Sequence, residues 1–131
     1  MAVTETADRL RRYLEDELGE CRSEDLQQRL AELDELDELL DDDAVSTDVR
    51  TLSALGNGTR YRLVRLLVEA GDELCVCEIT PLVDVSESAV SHAFSTLVEA
   101  ELVTKRKDGR WRKYRATPRA NALLAVLDGT R

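Results

Sequence analysis

At 131 residues, the chain is long enough for one domain with a buried core and an additional segment. It has three cysteines, too few for a disulfide framework, and no run of the roughly 18 apolar residues that a membrane helix needs. We therefore expect a cytoplasmic protein with reduced thiols and no membrane partner.

The net charge of −9 is unevenly distributed along the chain. Residues 1–50 hold 17 acidic and 6 basic side chains, whereas residues 51–131 hold 10 acidic and 12 basic ones. Within Lys105–Arg115, seven bases accompany a single acid. This local field suits a nucleic-acid backbone, although a solvated charged hairpin is the alternative. The acid-rich, lysine-poor composition also resembles that of proteins from salt-accumulating organisms.

Residues 1–46 are predicted to form an acidic helical extension. Leucines recur four residues apart in a first helix over 5–19, and a second helix over 24–40 carries an apolar stripe. That stripe resembles a short coiled-coil seam and predicts pairing with another helix: Leu26, Leu30, Leu33, Leu36 and Leu40. Cys21 lies in the connection between the two helices.

Residues 47–131 are predicted to form a winged helix-turn-helix domain, mainly α-helical with a β-hairpin wing (α+β). After a first helix near 48–56, its expected elements are a helix capped by Thr59, a short helix over Cys75–Val83, a helix over 87–100 capped by Ser86, a hairpin over 102–116 turning at Asp108-Gly109, and a final helix from Pro118.

The helix over 87–100 has the pattern of a DNA-recognition helix. At about 100° per residue its apolar residues share one side, and the opposite side is small and polar, so it can enter a major groove without repelling phosphates. The residues predicted to face bases are Ser88, Ser91, His92 and Ser95. The hairpin residues predicted to hold phosphates or probe the minor groove are Arg106, Lys107, Arg110 and Arg112.

His92 is the only histidine, and a solvated side chain is its alternative role. A histidine beside serines without a buried acid does not make a catalytic triad, and the chain has no glycine-rich phosphate loop or metalloprotease motif. We therefore predict that the protein is not an enzyme and has no permanent cofactor.

The segment Cys75-Val76-Cys77 places two thiols directly before the helix-turn-helix. Thiolates select soft ions: trivalent arsenic or antimony prefers three sulfurs, and cadmium or lead also fits. On an ideal helix these side chains point about 200° apart, so joint ligation requires a non-helical or unwound start, which would disturb the support of the recognition helix. A helix N-terminus is expected to lower the thiol pKa. Two small buried hydrophobic side chains are the alternative.

The chain resembles the arsenical-resistance repressor family (ArsR/SmtB) over about residues 47–127. The residues that carry the resemblance are Glu73–Glu78, Val90-Ser91-His92, Leu102-Val103 and Asp108–Arg115. The resemblance implies a homodimer on palindromic operator DNA, released by an inducer, with a dimer interface formed by residues of about 48–56 and 118–128.

The chain departs from the family pattern in its ligand set. Arsenic-sensing members carry a third cysteine where this chain has Thr80. Some cadmium and lead sensors recruit a cysteine from an N-terminal extension, so we predict Cys21 as the third ligand of Cys75 and Cys77; an unengaged thiol is the alternative. The family's second metal site needs histidine and acidic ligands on the terminal helix and is not expected here.

The favoured function is a DNA-binding repressor of metal(loid)-resistance genes, released when arsenite or antimonite binds the thiols. One alternative is a redox sensor that uses the same thiols, for example through a disulfide between Cys21 and Cys75 or Cys77. Another is a protein-interaction module that binds through residues 5–43 and has lost DNA binding.

Overall fold

The computed structural model describes the backbone of residues 2–131 and the side chains from Glu5 onward. The chain divides into two compact units, Met1–Ala44 and Val45–Arg131. Among the described residues, no helix is both long enough and apolar enough to cross a bilayer.

The first unit contains two helices, α1 (Ala2–Leu18) and α2 (Ser23–Glu38). Gly19 ends α1 with a positive φ of 84°, a conformation that glycine adopts without strain. Leu14 and Leu26 are buried, whereas Leu36 is 60% exposed, so the predicted apolar stripe of α2 is covered only near its start.

The second unit is a winged helix-turn-helix domain, which confirms the predicted fold class. Its elements are α3 (Asp42–Leu55, which begins in the first unit), α4 (Gly58–Ala70), β1 (Leu74–Cys75), α5 (Val76–Ile79), a 3₁₀ turn (Thr80–Leu82), α6 (Glu87–Glu99), β2 (Val103–Asp108), β3 (Trp111–Ala116) and α7 (Pro118–Gly129). Helices α5 and α6 form the helix-turn-helix, and β2 and β3 form the wing.

The core of this unit joins α4, α6, α7 and the wing. Leu63 and Leu67 of α4 pack with Leu97 of α6, and all three are almost fully buried. The Phe94 ring of α6 stacks on the Tyr114 ring of β3, with centroids 4.0 Å apart. The predicted buried face of the recognition helix is therefore confirmed, and it is anchored directly to the wing.

Two helix starts differ from the sequence prediction. Helix α3 begins at Asp42 rather than near residue 48, because the Asp41 carboxylate accepts a hydrogen bond from the Asp43 amide at 3.0 Å. The cap of α4 is Asn57 rather than Thr59: its side-chain oxygen accepts from the Arg60 amide at 3.0 Å. In both cases a polar side chain earlier in the sequence satisfies the first free amide groups.

The wing differs from the prediction in two ways. Asp108 pairs with Trp111, so the loop is Gly109-Arg110, one residue later than predicted, and Gly109 has a φ of +62°. A third strand, β1, pairs antiparallel with β3 and gives the sheet order β1-β3-β2. The short helix predicted over Cys75–Val83 therefore begins one residue later, at Val76. The sequence did not predict β1, because a two-residue strand is too short to show the alternation of apolar and polar residues that marks a strand.

Candidate thiol site and DNA-contact surface

The two thiols of the Cys75-Val76-Cys77 segment lie side by side. Cys75 is the last residue of β1 and the N-cap of α5, with extended backbone angles (φ −77°, ψ 149°). The Cys77 thiol donates a hydrogen bond to the Cys75 sulfur, and the two sulfurs are 2.9 Å apart. The prediction that Cys75 is helical is thus wrong, and no unwinding is needed to bring both sulfurs toward one ion.

Local hydrogen bonds hold Cys75 in this position. Its amide donates to the Glu78 carboxylate at 2.9 Å, and its sulfur accepts from the Cys77 amide at 3.4 Å. Both contacts follow the capping-box pattern, in which the N-cap and the third helical residue satisfy each other's backbone groups. Thr80, at the position of the missing cysteine, donates its hydroxyl to the Val76 carbonyl at 2.8 Å. These hydrogen bonds hold the segment in the conformation that brings the two thiols together.

The acidity of Cys77 contradicts the expectation of a lowered thiol pKa. Its hydrogen bond to Cys75 raises the pKa of Cys77, and partial burial and the Glu78 carboxylate act in the same direction. Helix α5 is also only four residues long, so its helix dipole is small.

The thiol pair lacks a third ligand nearby. Within the described residues, no three or more His, Cys, Asp or Glu side chains are grouped so as to hold a metal ion. Cys21 is half-buried in the first unit, where its thiol donates to the Arg22 carbonyl with a separation of 3.6 Å. The donors that the structure brings together are two soft sulfurs, which suit a thiophilic ion with one remaining coordination position. The role of Cys21 remains a prediction.

A small cavity of about 130 Å³, here called the thiol cavity, opens beside the two sulfurs. Besides Cys75 and Cys77, it is lined by Ser91 of α6 and by Arg110 and Arg112 of the wing. Cys75 is only 7% exposed, whereas Cys77 is exposed. The thiols therefore share a surface recess with three residues that the sequence assigns to DNA contact.

The four predicted base-reading residues all lie on α6. Ser88, His92 and Ser95 are exposed and Ser91 is half-buried. The Ser95 hydroxyl donates to the Ser91 carbonyl at 3.2 Å, as serine often does inside a helix. Their contacts with bases remain predictions.

The four predicted phosphate ligands of the wing are not equivalent. Lys107 and Arg112 form no ion pair among the described residues, and the Arg110 guanidinium lies 5.2 Å from the Trp111 ring centre. Arg106, in contrast, binds both carboxylate oxygens of Glu73, with its Nε 3.1 Å from one of them. A guanidinium already held by a carboxylate is a weaker candidate for a phosphate contact.

Sequence reasoning missed the acidic partners of the wing. Glu73 holds Arg106, and Asp72 accepts from Arg115 at 2.9 Å. The Arg106 guanidinium holds the pKa of Glu73 below its ordinary value. The sequence signal was the pair of acids directly before β1, in a chain that also carries a basic hairpin.

A helix-turn-helix with a polar recognition face and a basic wing defines a DNA-binding protein of the winged helix-turn-helix class. Residues 57–105, from the cap of α4 into β2, match the family described as "Bacterial regulatory protein, arsR family". The chain is 56% identical, over 96% of its length and 98% of the relative's, to "Putative arsenical resistance operon repressor ArsR" of Halobacterium salinarum. It belongs to the ArsR family.

More distant relatives agree with this assignment. The "Arsenical resistance operon repressor" of Escherichia coli is 36% identical over 60% of this chain and 67% of its own length. A crystal structure described as "Possible transcriptional regulator for arsenical resistance" is 41% identical, with a TM-score of 0.51 over 60% of this chain and 81% of that one. Family and fold together support a DNA-binding transcriptional repressor.

Proposed function

We propose that this protein represses metal(loid)-resistance genes and leaves its operator when arsenite or antimonite binds Cys75 and Cys77. Cadmium and lead are alternative inducers. The observation that carries the proposal is the 2.9 Å separation of the two sulfurs in a DNA-reading domain. The names of the relatives from Halobacterium salinarum and Escherichia coli support arsenic as the first candidate.

An anaerobic arsenite titration tests the inducer. Reduced wild type is expected to develop a saturable ultraviolet absorption from sulfur bound to arsenic, and Cys75→Ser to lose it. Cys21→Ser tests the third ligand: a weaker or altered signal supports ligation by Cys21, and an unchanged signal shows a two-thiol site. Wild type without any signal would contradict arsenic as the inducer, and cadmium would be titrated next.

The same ion must also release DNA if the thiols are a sensor. Cys75→Ser is expected to bind DNA like wild type but to stay bound when arsenite is added. A Cys75→Ser variant that is released normally would contradict the proposed site.

We propose that the DNA surface combines Ser88, Ser91, His92 and Ser95 of α6 with Lys107, Arg110 and Arg112 of the wing, and that Arg106 is secondary because Glu73 holds it. Serine and histidine side chains are short polar groups able to approach base edges, and the exposed wing bases can neutralise phosphates. The operator is in the cytoplasm, where we place the protein.

We propose a homodimer formed through α3 and α7. Val49 and Leu52 of α3 and Val126 and Leu127 of α7 are 46–62% exposed, although they are apolar. Asp48 and Arg119 tie the two helices together with an ion pair of 3.0 Å. A two-fold dimer covers such a face and presents two recognition helices to a palindromic site.

Thiol oxidation is the second candidate, because the same sulfur contact brings together two groups that a peroxide can join in a disulfide. Release of DNA by peroxide in metal-free buffer, without a response to arsenite or cadmium, would favour this function over metal sensing.

A further inference from the structure

The thiol cavity brings the inducer site and the DNA-contact surface into one recess. Cys75 and Cys77 line it together with Arg110 and Arg112 of the wing. Ser91 and Glu87 line the cavity from the start of the recognition helix. Residues of β1, α5, α6, β3 and the wing loop therefore line one recess.

The electrostatics of this recess favour an anionic group. Two guanidinium groups line it against a single carboxylate, that of Glu87. Among the described residues neither Arg110 nor Arg112 forms an ion pair, and the Arg110 guanidinium lies over the Trp111 ring, 5.2 Å from its centroid. Unpaired guanidinium groups are the side chains that hold phosphate most effectively.

The geometry of the thiols allows an ion to bind without a conformational change that is transmitted to the recognition helix. Because Cys75 is already extended and its sulfur lies next to that of Cys77, an ion binds without unwinding α5. Ion binding therefore does not require a distortion of α5, the helix that supports the recognition helix.

We propose that the thiol cavity is itself part of the operator-contact surface, so that a thiol-bound ligand and the DNA backbone compete for it. Arg110 and Arg112 are the residues that both occupants share. This inference deepens the proposed function and rests on it. Induction is then a local competition for one recess, and a charge placed at Cys77 affects DNA directly.

An isosteric pair of variants tests the competition. Cys77→Asp and Cys77→Asn have side chains of nearly equal size that differ in charge, and Cys77 is exposed enough to accept both. The DNA is a duplex selected for wild-type binding from a random-sequence pool. We expect Cys77→Asp to bind it about tenfold more weakly than Cys77→Asn at low salt, since its carboxylate lies beside the phosphate ligands. The difference should shrink as salt is added.

The matched control is the same pair of substitutions at a residue away from the thiols. Thr130 is suitable, because it is exposed in the same unit as Cys77 and does not line the thiol cavity; Thr130→Asp and Thr130→Asn should bind the duplex equally. Thermal unfolding of all four variants confirms that each is folded.

A second measurement uses the wild-type protein. Bound duplex should slow alkylation of Cys77 by iodoacetamide, read by mass spectrometry, whereas the same concentration of a duplex that the protein does not bind should leave the rate unchanged. Equal affinities of the two Cys77 variants, or equal alkylation of Cys77 with and without bound DNA, would overturn the inference while leaving the repressor function intact. Failure of wild type to select any duplex would instead contradict the proposed function.

Discussion

At the scale of single residues, the chemistry of this protein is concentrated in a pair of hydrogen-bonded cysteines. The Cys77 thiol donates to the Cys75 sulfur, and this contact raises the pKa of Cys77. A raised pKa means that the thiol stays protonated at neutral pH, so any ligand that needs the thiolate must displace a proton.

This proton distinguishes the two classes of inducer. Cd²⁺ releases a proton for each thiol that it binds, whereas arsenite, As(OH)₃, carries the thiol protons away in the water that it loses. We expect the affinity for cadmium to rise with pH, by up to about tenfold per pH unit for each thiol, until the thiol pKa is passed. The equilibrium affinity for arsenite should stay nearly constant over the same range.

Absorption titrations with both ions between pH 6 and pH 8 measure this difference. Cys75→Ser, which is expected to lose the signal from the bound ion, gives the baseline at each pH. Cadmium affinity that does not change with pH, together with arsenite affinity that falls as pH rises, would contradict protonated thiols as the resting state.

A second residue-scale prediction concerns the wing loop. Gly109 has a φ of +62°, and a methyl group added there would meet no atom within 4 Å. Gly109→Ala should therefore destabilise the domain by about 1 kcal/mol through backbone strain alone. Gly129, at the end of α7, also has open space around it but no positive φ. Gly129→Ala should be neutral or slightly stabilising.

Denaturant unfolding compares these two variants with wild type. Because neither position is crowded, a similar loss of stability in both would show that the wing loop is not strained as the backbone indicates.

At the scale of elements, the wing is connected to the thiol strand by pairing and by charge. Strand β1 pairs with β3 through Leu74–Tyr114 and Cys75–Lys113, and Glu73 reaches Arg106 on the far strand β2. The carboxylate of Glu73 thus links the segment that carries the thiols to all three strands of the sheet. We define the Glu73–Arg106 ion pair as the wing clamp.

The wing clamp has a predictable pH dependence. Since the pKa of Glu73 is lowered in the folded protein, the clamp contributes its full stability above the carboxyl's ordinary pKa of 4.5. That contribution is lost as pH falls below 4.5 and through the lower folded value. Wild type should therefore unfold at a higher temperature than Glu73→Gln at neutral pH, and the difference should vanish on acidification.

Because of the wing clamp, we expect two neighbouring basic residues of β2 to have different roles. Lys107→Gln should weaken DNA binding and reduce the salt slope by about one, as expected for a lost phosphate contact. Arg106→Gln should lower the unfolding temperature but change the salt slope less, because its guanidinium is bound to Glu73. DNA-binding titrations at several salt concentrations compare the two; a larger change of slope for Arg106→Gln would assign the phosphate contact to Arg106 instead.

At the scale of the whole molecule, the second unit leaves apolar side chains uncovered. Leu52 of α3 is 59% exposed, and Val126 of α7 is 62% exposed. Their exposure in a domain with a well-formed core supports association with a second copy.

A charged substitution at Leu52 tests the dimer. Leu52→Asp should raise the dissociation constant of the dimer by about 100-fold, because two buried leucines are lost from a symmetric interface. DNA affinity should fall with it, since both half-sites need a recognition helix. The control is Leu82→Asp, which changes a leucine of similar exposure (54%) outside α3 and α7. Sedimentation velocity measures both, and equal behaviour of the two variants would exclude this interface.

Charge is also a property of the whole chain. The acidic residues are concentrated in residues 1–50 and the unpaired bases in the wing, so a net charge of −9 does not oppose DNA binding at the surface that matters.

Local signals along the sequence were enough to predict most of the fold. Three of these signals depend only on neighbours within one or two helical turns. They are the Ser86 cap, the helical spacing of buried residues over α6 and the start of α7 at Pro118. The winged helix-turn-helix class and the adjacency of Cys75 and Cys77 to it were therefore available from the sequence. The failures at Thr59 and at the Asp108-Gly109 turn are shifts of one or two residues within the same local pattern.

Only the tertiary structure decided how the site is built. Strand β1 is two residues long and exists because β3, distant in sequence, offers it a partner. That pairing makes Cys75 extended, brings its sulfur to Cys77 and opens the thiol cavity against the wing. The clamp between Glu73 and Arg106 likewise spans 33 positions in sequence. Periodicity and capping describe contacts between near neighbours, whereas these contacts form between segments that only folding brings together.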